Sequence, residues 1–204
     1  MNAFERARSV LAYFLVATGI GMLFSCYRDS SAQDKRANVG VSEHASQNIP
    51  TVMVKYTMEG KFDQAVEVGL RALKNTSDDE VIYEQIADVY LVRAQKDSDK
   101  RPEWVSDAAL YADKALALNS SSTDPLGLHR FQIARAYESA GDLSNDGRCQ
   151  YYEKARTQLE SREPLLTSES VLVDGKKVLV APLKRENQHV LDEIRAKSET
   201  SHCK

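Results

Sequence analysis

The sequence predicts an all-α solenoid of about three antiparallel helix pairs, followed by a short C-terminal β-hairpin and a helix. Three observations predict it: a recurring pattern of tyrosine with glycine and alanine, apolar residues spaced three and four apart, and two late valine-leucine runs. The 204 residues carry a formal net charge of -3 and three cysteines. This composition excludes a collagen, a low-complexity polymer and a disulfide-dense miniprotein, and it offers no global basic field to a nucleic acid.

The chain begins with an apolar segment, residues 1–26, that we expect to reach a membrane. Ser9 to Ser25 contains no ionisable charge and follows a short arm with Arg6 and Arg8. As a helix it would extend roughly 26 Å, slightly less than a ~30 Å hydrocarbon core, so a cleaved export signal and a retained span both stay open. Basic residues flank the segment on both sides, and the basic arm at its start favours a domain outside the cytoplasm.

The end of this segment, Leu23-Phe24-Ser25-Cys26, resembles the lipobox of bacterial lipoproteins. The resemblance implies that Cys26 is acylated and becomes the mature amino terminus. The alternative is that Cys26 is a small apolar residue at the end of a membrane helix. Residues 27–48 are small and polar, which is typical of a flexible linker. Both interpretations therefore predict a domain tethered to a membrane.

A repeated pattern covers residues 49–162. An aromatic residue is followed by small residues in the same order in three sets, with nine extra residues between the second and third members of the second set: Tyr56, Gly60, Ala65 and Ala72; Tyr90, Ala94, Ala108 and Ala115; Tyr137, Gly141 and Ala155. The pattern resembles the tetratricopeptide repeat family, in which each unit of about 34 residues is a pair of antiparallel helices. The resemblance implies a solenoid whose concave face is lined by the first helix of each pair and binds a peptide or protein.

Local signals indicate where the helices begin. Ser77 with Glu80 fits a capping box ahead of a helix over about residues 79–96. Asp124-Pro125 opens another helix, with the aspartate as cap and the proline in the first helical position.

The charged stretch from Gln95 to Glu103 interrupts the second unit. We expect it to be a lengthened turn between paired helices, either solvated or protruding as a contact loop. Trp104 is predicted to pack against the next helix.

In residues 163–204 the helical spacing of apolar residues gives way at first to two short valine-leucine runs. Val171-Leu172-Val173 and Val178-Leu179-Val180 flank an Asp174-Gly175 turn, which is typical of a β-hairpin. Because an isolated hairpin is marginally stable, we expect it to dock on the last helix pair; the alternative is a strand offered to a partner. Residues 185–197 are predicted to form a final helix.

Reactive motifs are missing from the sequence. There is no phosphate-binding glycine loop, no G-x-S-x-G elbow and no H-E-x-x-H helix, so we predict no enzymatic activity, no cofactor, no metal and no small-molecule substrate. Cys149 and Cys203 either pair in an oxidising compartment or remain two free thiols.

The family's groove positions imply a set of candidate partner-binding residues near the repeated aromatic residues: Val54, Thr57, Glu84, Asp88, Leu91, Phe131, Arg135 and Glu138. Their mixed charge with apolar side chains suits a peptide or a partner helix. Family members that clamp a carboxylate terminus use lysine and asparagine at such places. Glu84 and Asp88 stand there instead, which argues against that ligand.

These patterns together predict a membrane-tethered, noncatalytic scaffold that binds a peptide or protein partner in the cell envelope. The alternative hypothesis is a permanent accessory subunit of an envelope enzyme or transporter. A solvated face without a ligand remains the competing explanation for each groove residue taken alone.

Overall fold

A computed structural model gives the structure of the protein and describes residues 49–75, 79–119, 124–173 and 175–203. The predicted apolar segment with Cys26, the linker and Ser77 lie outside these residues. Among the helices of the described ranges, none combines the length and the apolar character that crossing a bilayer requires.

The described residues form seven α-helices, one short 3-10 helix and two β-strands. In chain order they are α1 (Ile49–Met58), α2 (Phe62–Asn75), α3 (Glu80–Lys96), α4 (Arg101–Leu118), α5 (Leu128–Leu143), α6 (Arg148–Arg162), the 3-10 helix (Glu163–Leu166), β1 (Ser170–Val173), β2 (Lys176–Leu179) and α7 (Val180–Thr200). The predicted array of about three helix pairs, followed by a hairpin and a helix, is confirmed.

Neighbouring helices pack as the pairs α1–α2, α3–α4 and α5–α6. The first helices of successive pairs also contact each other, α1 with α3 and α3 with α5. Contact between the second helices α2 and α4 is slight at most. Since the array is closest-packed on the side of the first helices, we call that side the inner face; it includes Glu84 and Asp88 of α3 and Arg135 of α5.

Small residues bring the helices close together. A Cβ added at Gly69 of α2 would lie 3.0 Å from side-chain atoms of Met53 and Ile86, and one added at Gly141 of α5 would lie 2.5 Å from the Tyr152 ring. The repeated tyrosines pack in two separate clusters of buried residues. Tyr56 and Tyr90 pack against the cluster around Met53 and Ile86, and Tyr137 is buried in the cluster of α5, α6 and α7.

The caps of α3 and α5 differ from the predicted ones. α3 begins at Glu80, and its N-cap is Asp79, whose carboxylate accepts hydrogen bonds from the backbone N–H of Val81 and Ile82. The capping box with Ser77 is therefore wrong, because Asp79 stands next to the helix and supplies the same acceptor.

Asp124 does cap α5, but from a greater distance than predicted. The helix begins at Leu128, and the Asp124 carboxylate accepts from the backbone N–H of Leu128 at 2.6 Å and of His129 at 2.8 Å. Pro125 lies in the preceding turn, not in the first helical position, since Gly127 adopts a left-handed conformation with φ 59° and delays the helix.

The lengthened turn predicted in the second unit is wrong. Only residues 97–100 separate α3 from α4. Asp97 closes this short turn by accepting hydrogen bonds from the backbone N–H of Asp99 and Lys100 and from Nε1 of Trp104. These hydrogen bonds, led by the one from Trp104, lower the pKa of the Asp97 carboxyl group. Most of the charged stretch from Gln95 to Glu103 therefore lies in the end of α3 and the start of α4, because the Asp97 carboxylate stabilises a short turn between them.

The hairpin docks on the array, as predicted. β1 and β2 are antiparallel, with Val171 opposite Val178, and Gly175 in the turn has φ 76°. One face of the hairpin, with Val171 and Val178, packs against a buried cluster of Leu126, Leu166 and Val180. The outward face remains exposed at two leucines, which are described below.

The last helix is longer than predicted and is fixed at both ends. α7 begins at Val180, directly after β2, because Pro182 is compatible with the first helical turn. A disulfide joins Cys149, at the start of α6, to Cys203, just after α7. Of the two alternatives for these cysteines, the structure therefore contains the pair. Val190 is among the residues of α7 that are buried against α5 and α6.

Candidate functional site

A carboxylate cluster lies on the inner face where α3 meets the start of α5. It consists of Glu80, Glu84 and Asp88 from α3, Asp124 from the turn before α5, and His129 from α5. The His129 ring lies between two carboxylates: Nδ1 is 3.0 Å from Oε1 of Glu84, and Nε2 is 3.3 Å from Oε1 of Glu80. Carboxylate oxygens only accept hydrogen bonds, so a doubly protonated imidazolium satisfies both contacts.

The charge state of His129 follows from these neighbours. Burial lowers the pKa of the imidazole, but the hydrogen bond to Glu84 and the charges of Glu84, Glu80 and Asp124 outweigh burial and raise the pKa to about 9. Burial also raises the pKa of the Glu84 carboxyl group, and His129 offsets this only in part. Because several carboxylates share one imidazole, we place the proton on His129 at neutral pH.

Asp88 lies one helical turn after Glu84 on the same face of α3. Its side chain is accessible to solvent, yet the surrounding protein desolvates it, and with the nearby charge of Glu84 this raises the pKa of Asp88 to about 7. In the described part of the chain, no ion pair neutralises Asp88. The cluster thus presents an accessible carboxyl group that is only partly ionised at neutral pH and that a nearby cation would ionise further.

An ionic bridge joins α5 to α7 at the end of the inner face. It consists of Arg135, Glu138 and Asp142 from α5 with Glu193 and Lys197 from α7. Nη1 of Arg135 lies 2.6 Å from Oε2 of Glu138 and 3.3 Å from Oε2 of Glu193. Nζ of Lys197 donates to Glu138 at 2.5 Å and to Asp142 at 2.7 Å. The bridge holds α7 beside α5, in the position that the first helix of a further pair would take.

Half of the predicted groove residues are buried in the array. Thr57 donates a hydrogen bond to the carbonyl oxygen of Met53 at 2.8 Å, and Leu91 packs in the cluster between α3 and α4. Phe131 lies under the guanidinium of Arg162, 4.7 Å from ring centroid to Cζ. Glu138, whose side chain is 3% exposed, belongs to the ionic bridge. These four side chains are buried within the array, and the hydrogen bond of Thr57 lies within α1 itself.

The other predicted groove residues remain accessible in part. Glu84 and Asp88 come together in the carboxylate cluster, and Arg135 is part of the ionic bridge on the next first helix. Val54 is half-buried on α1. The accessible inner face is therefore narrower than predicted, because α7 covers part of α5.

Four aromatic side chains between α3 and α4 were missed by the groove prediction: Tyr83, Tyr90, Trp104 and Tyr111. Their ring centroids follow each other at 5.7 to 6.2 Å. The guanidinium of Arg93 lies 3.8 Å from the centroid of Trp104. Trp104 packs on α3, and the buried cluster that it packs against also includes Ala140 of the next helix, α5. The signal was present in the sequence, since two aromatic residues occur seven positions apart on each of the two helices.

The chemistry of the site is that of a binding surface with fixed charges. Within the described ranges, no group of three or more histidine, cysteine, aspartate or glutamate side chains has the arrangement of a metal site. The carboxylate cluster can attract a cation or a basic side chain through charge and hydrogen bonding.

Comparisons with known proteins add no family to this description. No family model matches the chain, and no match was found among curated proteins or solved structures.

Proposed function

We propose that the protein is a membrane-tethered, noncatalytic scaffold of the tetratricopeptide repeat type, which binds a basic segment of a partner protein on its inner face. The observation that carries the proposal is the accessible carboxyl group of Asp88 in the carboxylate cluster, which has no ion-pair partner among the described residues. A lysine or arginine placed there gains an ion pair and lowers the pKa of Asp88, which desolvation and the nearby charge of Glu84 raise.

The packing of the array supports this proposal. The first helices contact each other along the inner face, which is the arrangement expected of a repeat solenoid that binds extended or helical segments. The ionic bridge and α7 close one end of the inner face, so the part of it that a partner can reach lies on α1 and α3.

The membrane tether is supported by the sequence and by the disulfide. The uncharged Ser9 to Ser25 segment and the lipobox-like Cys26 favour an anchor, followed by the polar linker 27–48. The disulfide between Cys149 and Cys203 is typical of an oxidising compartment such as the cell envelope.

A binding measurement tests the inner face. A labelled amphipathic peptide with lysines on its polar face is titrated with the full chain in detergent, followed by fluorescence anisotropy. We expect Asp88→Lys to weaken binding about tenfold, because attraction at the cluster turns into repulsion. The matched control is Glu103→Lys, an exposed carboxylate on α4, which should leave binding unchanged.

Two outcomes would contradict the proposal. Equal losses from both variants would mean that the peptide responds to net charge alone. Equal affinity for a peptide with glutamates in place of the lysines would remove the role of the carboxylate cluster. Copurification of the chain with one envelope protein at fixed stoichiometry would instead favour the permanent accessory subunit.

A further inference from the structure

The outward face of the β-hairpin carries two leucines that the rest of the described chain leaves exposed. In the strand register, Ser170 lies opposite Leu179 and Leu172 lies opposite Lys177. Directly paired residues share a face, so these four side chains point away from the face that packs on the array. Leu172 is 71% exposed and Leu179 is 62% exposed. They are the two most exposed large hydrophobic side chains of the C-terminal segment.

The chain continues this surface into the first turn of α7. Ala181 and Pro182 are exposed directly after Leu179, and Lys184 and Arg185 are exposed one turn later. The apolar patch is therefore followed by cationic side chains.

The charge of this region is opposite to that of the whole chain. Residues 169–185 contain four basic side chains, at 176, 177, 184 and 185, and two acidic ones, at 169 and 174, whereas the whole chain has a formal net charge of -3. A positive apolar patch on an otherwise negative protein is complementary to a surface that is both anionic and apolar beneath its charges. The surface of an anionic phospholipid bilayer has this chemistry.

The hairpin is a poor template for strand addition by another protein. Both strands are edges of this two-stranded sheet, each has only four residues, and β2 carries Lys176 and Lys177. Short edges with lysines are features that prevent strand pairing between proteins. A partner of the exposed leucines is therefore expected to bind without strand pairing. A lipid surface binds in this way.

We propose that the outward face of the hairpin lies on an anionic bilayer, with Leu172 and Leu179 in the interface and Lys177, Lys184 and Arg185 at the headgroup phosphates. This inference rests on the proposed membrane tether. The linker 27–48 would span roughly 26 Å as a coil, so it would keep the domain close to the bilayer. The tether would keep the local concentration of the domain at the bilayer surface high. A small apolar and cationic patch would then be sufficient for contact with the lipid.

The test places a tryptophan in the patch of the full chain. Leu172→Trp in a Trp104→Phe background leaves a single tryptophan, and Leu179→Trp provides a second probe in case the first perturbs the hairpin. The matched control is Leu110→Trp in the same background, at a leucine of α4 that is 49% exposed. The chain is reconstituted into phosphatidylcholine vesicles with brominated acyl chains, with or without phosphatidylglycerol.

In vesicles with phosphatidylglycerol, the hairpin tryptophan should show a blue shift and a loss of emission to bromine that the control does not show. Reversal of charge at Lys177, Lys184 and Arg185 should abolish both effects. Quenching no stronger than that of the control, or equally strong without phosphatidylglycerol, would overturn the inference.

Flotation of the same samples separates this inference from the proposed tether. A chain that floats with the vesicles while its hairpin tryptophan is not quenched retains the tether and refutes the docking of the hairpin. A chain that stays in solution with both vesicle types refutes both.

Discussion

His129 is one of the side chains that join the second and third helix pairs electrostatically. Its two ring nitrogens face Glu84 and Glu80 of α3, while its own backbone N–H is bound by Asp124. One residue thus connects the cap of α5 to the inner face. The imidazolium also limits the negative charge that the carboxylate cluster would otherwise accumulate.

His129→Gln should lower the free energy of unfolding by about 2 kcal/mol at pH 6, because the charged hydrogen bonds to Glu84 and Glu80 are lost. The pKa of His129 is raised to about 9 in the folded state, against an ordinary value of 6.5. Its stabilising contribution is therefore complete below pH 6.5 and is lost as the pH rises towards 9. Urea unfolding should show a smaller difference from wild type at pH 9.5.

The control is His189→Gln, since that histidine is 72% exposed on α7 and should leave stability unchanged at both pH values. If His129→Gln destabilised the protein equally at pH 6 and pH 9.5, the charged state of His129 would be refuted.

The sequence located part of the inner face and missed the rest for a physical reason. Glu84 and Asp88 were predicted from their positions in the repeat, and they do lie together on α3. Phe131 and Glu138 were predicted by the same rule, which assumes that the inner face is open. They are buried because α6 and α7 pack over α5, and a repeat pattern contains no information about a helix beyond the last repeat.

Close contact between α5 and α6 depends on a glycine. Gly141→Ala should destabilise the protein by roughly 1 to 3 kcal/mol, since the added methyl group would lie 2.5 Å from the Tyr152 ring and must displace it. Gly69→Ala is the matched comparison on α2: its added methyl group would lie 3.0 Å from Met53 and Ile86, whose side chains can move. Thermal unfolding should rank Gly141→Ala as the more damaging change, and the reverse order would contradict the packing between α5 and α6.

Helix and strand types were predictable, while several boundaries were not. Apolar spacing identified the helices because each packs on one stripe. The start of α7 was missed because Val180 completes a valine-leucine run that is typical of a strand, whereas its side chain is buried as the first residue of a helix. The turn after α3 was overestimated because its shortness depends on hydrogen bonds to Asp97 that composition does not reveal.

The described domain combines an array of three similar helix pairs with a C-terminal closure. The closure consists of the hairpin, α7 and the disulfide, which cover the last pair. The closure includes Arg162, which is fully buried and donates from Nε to the carbonyl oxygen of Leu126 at 2.9 Å. Burial lowers the pKa of Arg162 to about 10, although the charges of Glu186 and Asp124 oppose this. A buried cation thus lies between the last pair and the C-terminal segment.

The disulfide should account for much of the stability of this closure. Replacing Cys149 and Cys203 together by serine should lower the free energy of unfolding by about 2 to 4 kcal/mol, because the bond closes a long segment of chain. Urea unfolding of wild type with and without reductant should reproduce the difference, and the double variant should not respond to reductant. An equal response of both proteins would show that the reductant acts elsewhere.

The overall architecture was predictable because repetition specifies which helices are neighbours. The pairing of the cysteines was not, since they are separated by 54 positions and their proximity depends on how α7 returns along α6. Only the assembled domain brings them together.

The same bond determines how the molecule responds to pulling. A force applied at the carboxyl end passes through Cys203 to the start of α6, so the last helix lies within a covalent loop and cannot be peeled away turn by turn. The segment between Cys149 and Cys203, roughly 180 Å long when fully extended, consequently cannot be stretched until the bond is reduced. A load at that end is therefore carried by α6 and the helix pairs before it, and not by the last helix.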